Sequence, residues 1–255
     1  PEYQVKDKSL EGLGADLNRL AAGEPVQYVI GFADFCGLRF KVTPDVLIPR
    51  PETELLCREA IKIGSRMQRM RKAYGKSAKP VRVLDLCTGS GCIAWTVALN
   101  IPGAEVTGVD ISEKAVAVAS SQDFAAKIKE SGASAPKFVV ADVLAGNQTF
   151  TEGDYDLILS NPPYIMESQK SQMRVNVLNY EPSTALFVED SDPLVFYRSI
   201  AVLSRTCLSA EGKGLTEINE LLGPETQKVF SEAGFQKIDL VKDFYDKNRF
   251  VFYSK

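Results

Sequence analysis

The chain has 255 residues, with 30 Lys and Arg against 33 Asp and Glu, a net charge of −3 and no histidine. Without imidazole, Ser-His-Asp and Cys-His nucleophilic mechanisms are excluded, and most zinc and non-haem iron sites lose their usual ligands. At 45% hydrophobic and 25% charged the composition is that of an ordinary globular protein, and the acidic balance argues against a general nucleic-acid binder.

No run approaches the roughly 18 apolar residues of a membrane span, and the start, Pro1-Glu2-Tyr3, lacks a signal-peptide pattern. A cytoplasmic protein without membrane partners is expected. The five cysteines, Cys36, Cys57, Cys87, Cys92 and Cys207, contain no CxxC pair, so they read as reduced small hydrophobes and no metal is expected.

In chain order, Leu10, Leu13, Leu17 and Leu20 recur at spacings of three and four, which predicts a helix over 9–22 that ends at Gly23-Glu24-Pro25. Residues 26–42 are rich in aromatic and β-branched side chains and are punctuated by Gly31 and Gly37, which predicts short strands with tight turns. Pro44, Pro49 and Pro51 force an extended loop, and a long helix is expected over 52–70. The polar, basic stretch 71–80 reads as a loop. From Val81 onward apolar strands alternate with amphipathic helices, the pattern of a parallel sheet. Strands are expected over 81–86, 104–110, 137–142, 155–160 and 212–218, and helices over 91–99, 112–130 (capped by Ser112), 193–208 and 224–233. The last elements, strands near 236–241 and 249–253, predict a closing hairpin and one antiparallel strand.

Four segments carry chemistry. Asp85-Leu86-Cys87-Thr88-Gly89-Ser90-Gly91 ends a strand and opens a helix, where glycines let the backbone approach a ligand at the carboxyl edge of the sheet. It lacks the third glycine of a dinucleotide fingerprint, and its leading acid resembles motif I of class I S-adenosylmethionine methyltransferases. Asp110 closes the second strand, where a carboxylate can accept both hydroxyls of a ribose. Asp142 and Val143 end the third strand and either flank an adenine ring or form an ordinary acidic strand end. Asn161-Pro162-Pro163-Tyr164 follows the fourth strand. Its prolines make a rigid loop, the Asn161 side-chain oxygen and the Pro162 carbonyl can both accept from one NH2 group, and Tyr164 can lie flat against a planar amide or base.

Together, DLCTGSGCIA and DLILSNPPYI, the upstream FADFCGLRFKV and VLIPRPETELL, and the downstream NYEPSTALF resemble the HemK/PrmC family of protein-(glutamine-N5) methyltransferases. The resemblance runs from about Leu20 to the last residue. It implies an α/β fold, a class I S-adenosylmethionine-dependent, Rossmann-like methyltransferase with a seven-stranded, mostly parallel sheet. It implies methyl transfer to the glutamine of the GGQ motif in class 1 peptide chain release factors, leaving S-adenosylhomocysteine. Asn161, Pro162 and Tyr164 are then the catalytic residues, with Pro163 also binding substrate. Cys87, Thr88, Gly89, Ser90, Gly91, Asp110, Asp142, Val143 and Asn161 hold the cofactor.

The expected organisation is a remnant of a helical release-factor-binding domain over 1–24, a β-hairpin linker over 25–45 and a catalytic domain over 46–255. Relatives carry several helices where this chain has about 22 residues, so the docking domain is expected to be largely missing. Arg50, Pro51, Glu52 and Thr53 either line the mouth of the site, as the resemblance implies, or simply begin a helix. Glu181 is either a pocket wall or a loop anchor. Cys87, Cys92 and Trp95 depart from many relatives and are expected to alter packing only. The alternatives are an amino-methyltransferase acting on adenine or cytosine in nucleic acid, favoured only by the basic run 66–79, and an inactive cofactor-binding module.

Overall fold

A computed structural model describes residues 12–73, 79–145 and 154–255. Leu10 and the beginning of the first expected helix lie outside the described residues, as do positions 74–78 of the expected basic loop. Helix α1 covers Leu13–Ala21. Its leucine face is solvent-exposed, with Leu13, Leu17 and Leu20 at 45%, 55% and 39%.

The strand expected immediately after Pro25 is instead a short helix, α2 (Val26–Ile30). Pro25 stands at its N-cap, and its carbonyl accepts from the Tyr28 and Val29 amides. The turn also buries both side chains, and the Tyr28 hydroxyl donates to the Val46 carbonyl at 2.6 Å. Tertiary burial outweighs the β propensity of VQYVI, which is itself a modest preference. The expected hairpin follows as β1 (Phe32–Phe35) and β2 (Leu38–Lys41), paired antiparallel. Helix α3 (Thr53–Ala73) runs three residues past its expected end.

The doubly wound part comprises β3 (Arg82–Leu86), α4 (Cys92–Asn100), β4 (Glu105–Asp110), α5 (Glu113–Ser120), α6 (Ala125–Ser131), β5 (Lys137–Val140) and β6 (Tyr155–Ser160). One helix was expected where α5 and α6 stand. Residues 121–124 interrupt it because their side chains serve other partners. The Gln122 amide accepts from the Lys41 N–H and donates to the Lys41 and Ser90 carbonyls, and Phe124 packs in the core against Phe40 and Trp95. Ser112 caps α5 as expected, accepting from the Ala115 N–H.

After β6 come two short parallel strands, β7 (Ile165–Met166) and β8 (Phe187–Val188), with helix α7 (Val175–Tyr180) between them. The chain ends with α8 (Val195–Cys207), β9 (Leu208–Glu217), α9 (Gly223–Glu232), β10 (Lys237–Lys242) and β11 (Asn248–Ser254). The main sheet has seven strands in the order β10-β11-β9-β6-β3-β4-β5. Only β11 is antiparallel to its neighbours, through the expected closing hairpin.

Alternation along the central strands explains the burial on both faces. Val83, Leu157 and Leu159 join a core with α3, α4 and the hairpin phenylalanines Phe35 and Phe40. Leu84, Leu86 and Ile158 point the other way, into a core with α8 and α9. Every residue of β6 is buried. The chain passes outward from β3 through β4 to β5 and then returns to lay β6 on the other side of β3. The loops leaving β3 and β6 therefore emerge side by side at the switch point of the sheet, where this architecture leaves a crevice.

Candidate active site

The turn after β3 is conformationally demanding. Cys87 has φ 62°, which costs an ordinary side chain roughly 1–2 kcal/mol. Gly89 has φ 54°, and a Cβ there would meet nothing within 4 Å, so this position borders open space. Gly91 differs, because a Cβ would lie 3.0–3.1 Å from Ala119, Phe138 and Trp95. It lets α4 approach its neighbours and is not among the residues lining the cavities described below. Trp95 donates its indole N–H to the Ala119 carbonyl within the same packing layer.

Under this turn Asp85 is fully buried and accepts from the Thr88 hydroxyl at 2.6 Å and the Ala94 N–H at 3.1 Å, both on one oxygen. The other oxygen has no partner among the described residues. Burial pushes this carboxyl up to about 7, against the pull of those two donors.

Asp110, at the end of β4, accepts from the Gly89 N–H at 2.8 Å on one oxygen and from the Ser112 N–H at 3.0 Å on the other. Its carboxyl is raised by burial, which those amides oppose. Each oxygen keeps a second lone pair, so two hydroxyls can still be accepted. Asp142 is oriented by the Leu144 N–H at 2.8 Å.

A cavity of about 360 Å³ joins these groups, a size typical of small-ligand sites. Cys87, Thr88, Gly89, Ser90, Asp110, Asp142, Val143 and Asn161 all line it, as do Arg50, Thr53 and Pro163. A second cavity, of about 240 Å³, is lined by Pro162, Tyr164, Ile165 and Met173. Leu47, Arg50, Asn161 and Ala185 line both. Asn161 thus stands where an elongated acid-flanked pocket meets a smaller apolar one. Pro51 and Glu52 line neither; their carbonyls accept from Glu54 and Leu55 in the first turn of α3.

The Asn161 surroundings come from distant chain segments. Its Nδ2 donates to Thr53 Oγ1 at 3.1 Å. Thr53 in turn donates to Glu217 Oε2 at 2.7 Å, and the Tyr164 hydroxyl donates to Glu217 Oε1 at 3.0 Å. Burial raises the Glu217 carboxyl, opposed first by the Thr53 and Tyr164 hydrogen bonds and then by the Arg249 charge. Asn219 donates to the Tyr164 carbonyl at 2.9 Å. Glu181 is a loop anchor: its buried carboxylate accepts from the Ile48 N–H and pairs with Arg50 at 2.6 Å.

Sequence reasoning missed Glu217, Asn219, Phe187 and Phe196, the last two lining the larger cavity. For Glu217 a signal existed. An acid ends the apolar run of β9 just as Asp110 ends β4.

The "Methyltransferase small domain" family matches residues 54–186. The release factor glutamine methyltransferase of Bacteroides thetaiotaomicron is 38% identical over 96% of this chain and 80% of its own length. The chain belongs to the release factor glutamine methyltransferase family. A second member, from Flavobacterium psychrophilum, is 39% identical over 98% of this chain and 82% of its own. Among solved structures, the hMettl16 catalytic domain in complex with a MAT2A 3′UTR hairpin aligns with a TM-score of 0.60 at 13% identity, over 98% of this chain and 82% of that one. That likeness supports the class I S-adenosylmethionine-dependent methyltransferase fold in this member of the family.

The residues present fit S-adenosylmethionine. The cleft opens at Gly89, where no side chain intrudes, and carries acceptor capacity at Asp110 and apolar walls at Val143 and Phe196. Among the described residues no helix is long and apolar enough to cross a membrane.

Proposed function

We propose that this protein methylates the side-chain amide nitrogen of the GGQ glutamine in class 1 peptide chain release factors, using S-adenosylmethionine. The observation that carries this reading is the position of Asn161, shared by the larger acid-flanked cavity and the smaller one lined by Pro162 and Tyr164. Asp110 would accept the ribose hydroxyls, Asp142 and Val143 would flank the adenine, and the turn of residues 87–91 would hold the amino-acid end. When bound, S-adenosylmethionine supplies an electrophilic sulfonium methyl.

An amide nitrogen is a poor nucleophile because its lone pair is delocalised into the carbonyl. The chain's own groups address that weakness. Asn161 Oδ1 and the Pro162 carbonyl accept the two N–H bonds and hold the lone pair on its approach line, and they stabilise the positive charge that grows on the nitrogen. Tyr164 confines the amide plane. No strong base is required, since the nitrogen's proton becomes acidic only as the new bond forms. The same reading assigns residues 1–24 to part of a helical release-factor-binding domain, 25–45 to a β-hairpin linker and 46–255 to catalysis.

The test is incubation with S-adenosylmethionine and a release factor, followed by mass spectrometry of the GGQ peptide. One added methyl is expected, and naked DNA should gain none. Asn161→Ala should lower turnover by about 100- to 1,000-fold, the usual cost of losing one pre-organised polar contact to developing charge. Its cofactor affinity by calorimetry should stay within a few-fold. Methylated DNA with an unmodified release factor would overturn the reading.

A further inference from the structure

Asparagine can present either its oxygen or its NH2 group on a given side, and only its partners decide which. Here the deciding partner lies two bonds away. The Glu217 carboxyl accepts on both oxygens, from the Thr53 hydroxyl at 2.7 Å and from Tyr164. Having given its proton away, the Thr53 oxygen can only accept from Asn161, and it does so from Nδ2 at 3.1 Å. The other arm of the same amide, Oδ1, is thereby left for the cavities that Asn161 borders. The chain of donors has one polarity from Asn161 to Glu217. Reversing any link would turn an N–H toward the incoming amide, where it would repel the N–H bonds it should receive.

Glu217 also receives the Tyr164 hydroxyl on its second oxygen at 3.0 Å. One buried carboxylate therefore holds both ends of the 161–164 loop, although it sits on β9, 164 positions from Thr53 and 53 from Tyr164. Such a group is expensive to bury, and Glu217 is 1% exposed, Thr53 2%. Thr53 stands at the wall of the larger cavity, and Glu217, behind it, lines neither cavity.

We propose that Thr53 and Glu217 are positioning residues that set the amide orientation of Asn161, so that its oxygen, and not its NH2 group, faces the glutamine to be methylated. The proposal rests on the functional reading above. It separates the job of touching the substrate, which belongs to Asn161, from the job of orienting that contact, which belongs to a relay assembled from α3 and β9.

The decisive variant is Thr53→Val, which keeps the shape and removes the hydroxyl, with Thr53→Ser as the conservative rescue. Thr53→Val should lower kcat for release-factor methylation about 30- to 100-fold, in keeping with the cost of small misplacements near the reacting atoms. The KM for the release factor and the Kd for S-adenosylmethionine should move by less than about threefold, and Thr53→Ser should recover kcat to within about threefold of the unaltered protein. An unchanged kcat in Thr53→Val, or a Thr53→Ser variant as impaired as Thr53→Val, would overturn the relay.

A substrate-free measurement decides the same point. The Asn161 side-chain NH2 signals, assigned in 15N–1H spectra by their loss in Asn161→Ala, should exchange with water at least about tenfold faster in Thr53→Val, and unchanged exchange would overturn the relay. If Thr53→Val does not fold, Glu217→Gln carries the test by the same exchange measurement, since an amide can donate to Thr53 and reverse the chain. An unaltered protein that adds no methyl to a release factor would sink the functional reading, while the exchange measurement would still decide the relay.

Discussion

Along the carboxyl edge of the sheet, the half built on β3, β4 and β5 holds its polar side chains differently from the half built on β6 and β9. On the first, carboxylates are gripped by backbone amides of nearby loops: Asp110 by Ser112, two positions on, and by Gly89, 21 positions back, and Asp142 by Leu144. On the second, side chains grip side chains across 108, 131 and 164 positions, in the pairs Asn161–Thr53, Arg50–Glu181 and Thr53–Glu217. A site held by backbone amides depends on the shape of a turn. One held by side chains depends on several chain segments arriving together, and single substitutions can disarm it.

The largest effect that would test this contrast comes from breaking the long-range half. Arg50→Ala leaves the Glu181 carboxylate, whose side chain is 1% exposed, without its cation. Removing one member of a buried pair typically costs about 3–5 kcal/mol. Arg50 is itself 32% exposed, so water can reach the vacated position, and a loss near about 3 kcal/mol is expected in urea unfolding. A loss below about 1 kcal/mol would show that this half is less dependent on its side-chain pairs than its geometry implies.

The next effect strikes the other half at its function. Asp110→Ala should weaken S-adenosylmethionine binding by about 10- to 100-fold, the equivalent of the roughly 1.5–3 kcal/mol carried by hydrogen bonds to a charged group. Calorimetry would read it, and kcat at saturating cofactor should fall far less than in Asn161→Ala. An equal fall in both variants would erase the division of labour between the two halves.

The smallest effect concerns Asp85. Its carboxyl is raised to about 7 in the folded chain from an ordinary 3.8. Between those values the folded protein keeps a proton that the unfolded chain releases, so stability falls as pH rises through that window, and the loss is complete above about 7. Asp85→Asn removes the titration while keeping an oxygen that can accept from Thr88 and Ala94. Its melting temperature should therefore exceed that of the unaltered protein at pH 8, by the equivalent of about 1–2 kcal/mol, since the roughly 4 kcal/mol carried by the shift is reduced by the cost, up to about 3 kcal/mol, of an NH2 group buried where the carboxyl oxygen has no partner among the described residues. The difference should shrink toward pH 4. A variant less stable at pH 8 would mean that the buried charge is compensated by its surroundings.

Much of the fold was legible in the sequence because its signals are local. Apolar runs alternating with amphipathic helices marked the strands from β3 to β6, Ser112 marked the start of α5, and the order of the last three elements marked the antiparallel β11. The errors fall where distant residues intervene. VQYVI has the composition of a strand, yet it coils because Tyr28 reaches Val46. The helix expected over 112–130 breaks at Gln122 because that amide is committed to Lys41, 81 positions earlier. Asp110 could be singled out from the sequence because a strand end followed by a cap announces itself. Glu217 carried a weaker mark of the same kind, and its partners Thr53 and Tyr164 lie on other elements.

By itself, the sequence determined the alternating α/β order, the two loops that meet at the switch point and the absence of any imidazole chemistry, since each depends on neighbouring residues or on composition. Only the tertiary structure decided that Asn161 turns its NH2 group toward Thr53. That orientation depends on a hydroxyl from α3 and a carboxylate from β9 meeting in a buried space where each polar atom must find a partner, and no local stretch of the chain encodes such a meeting.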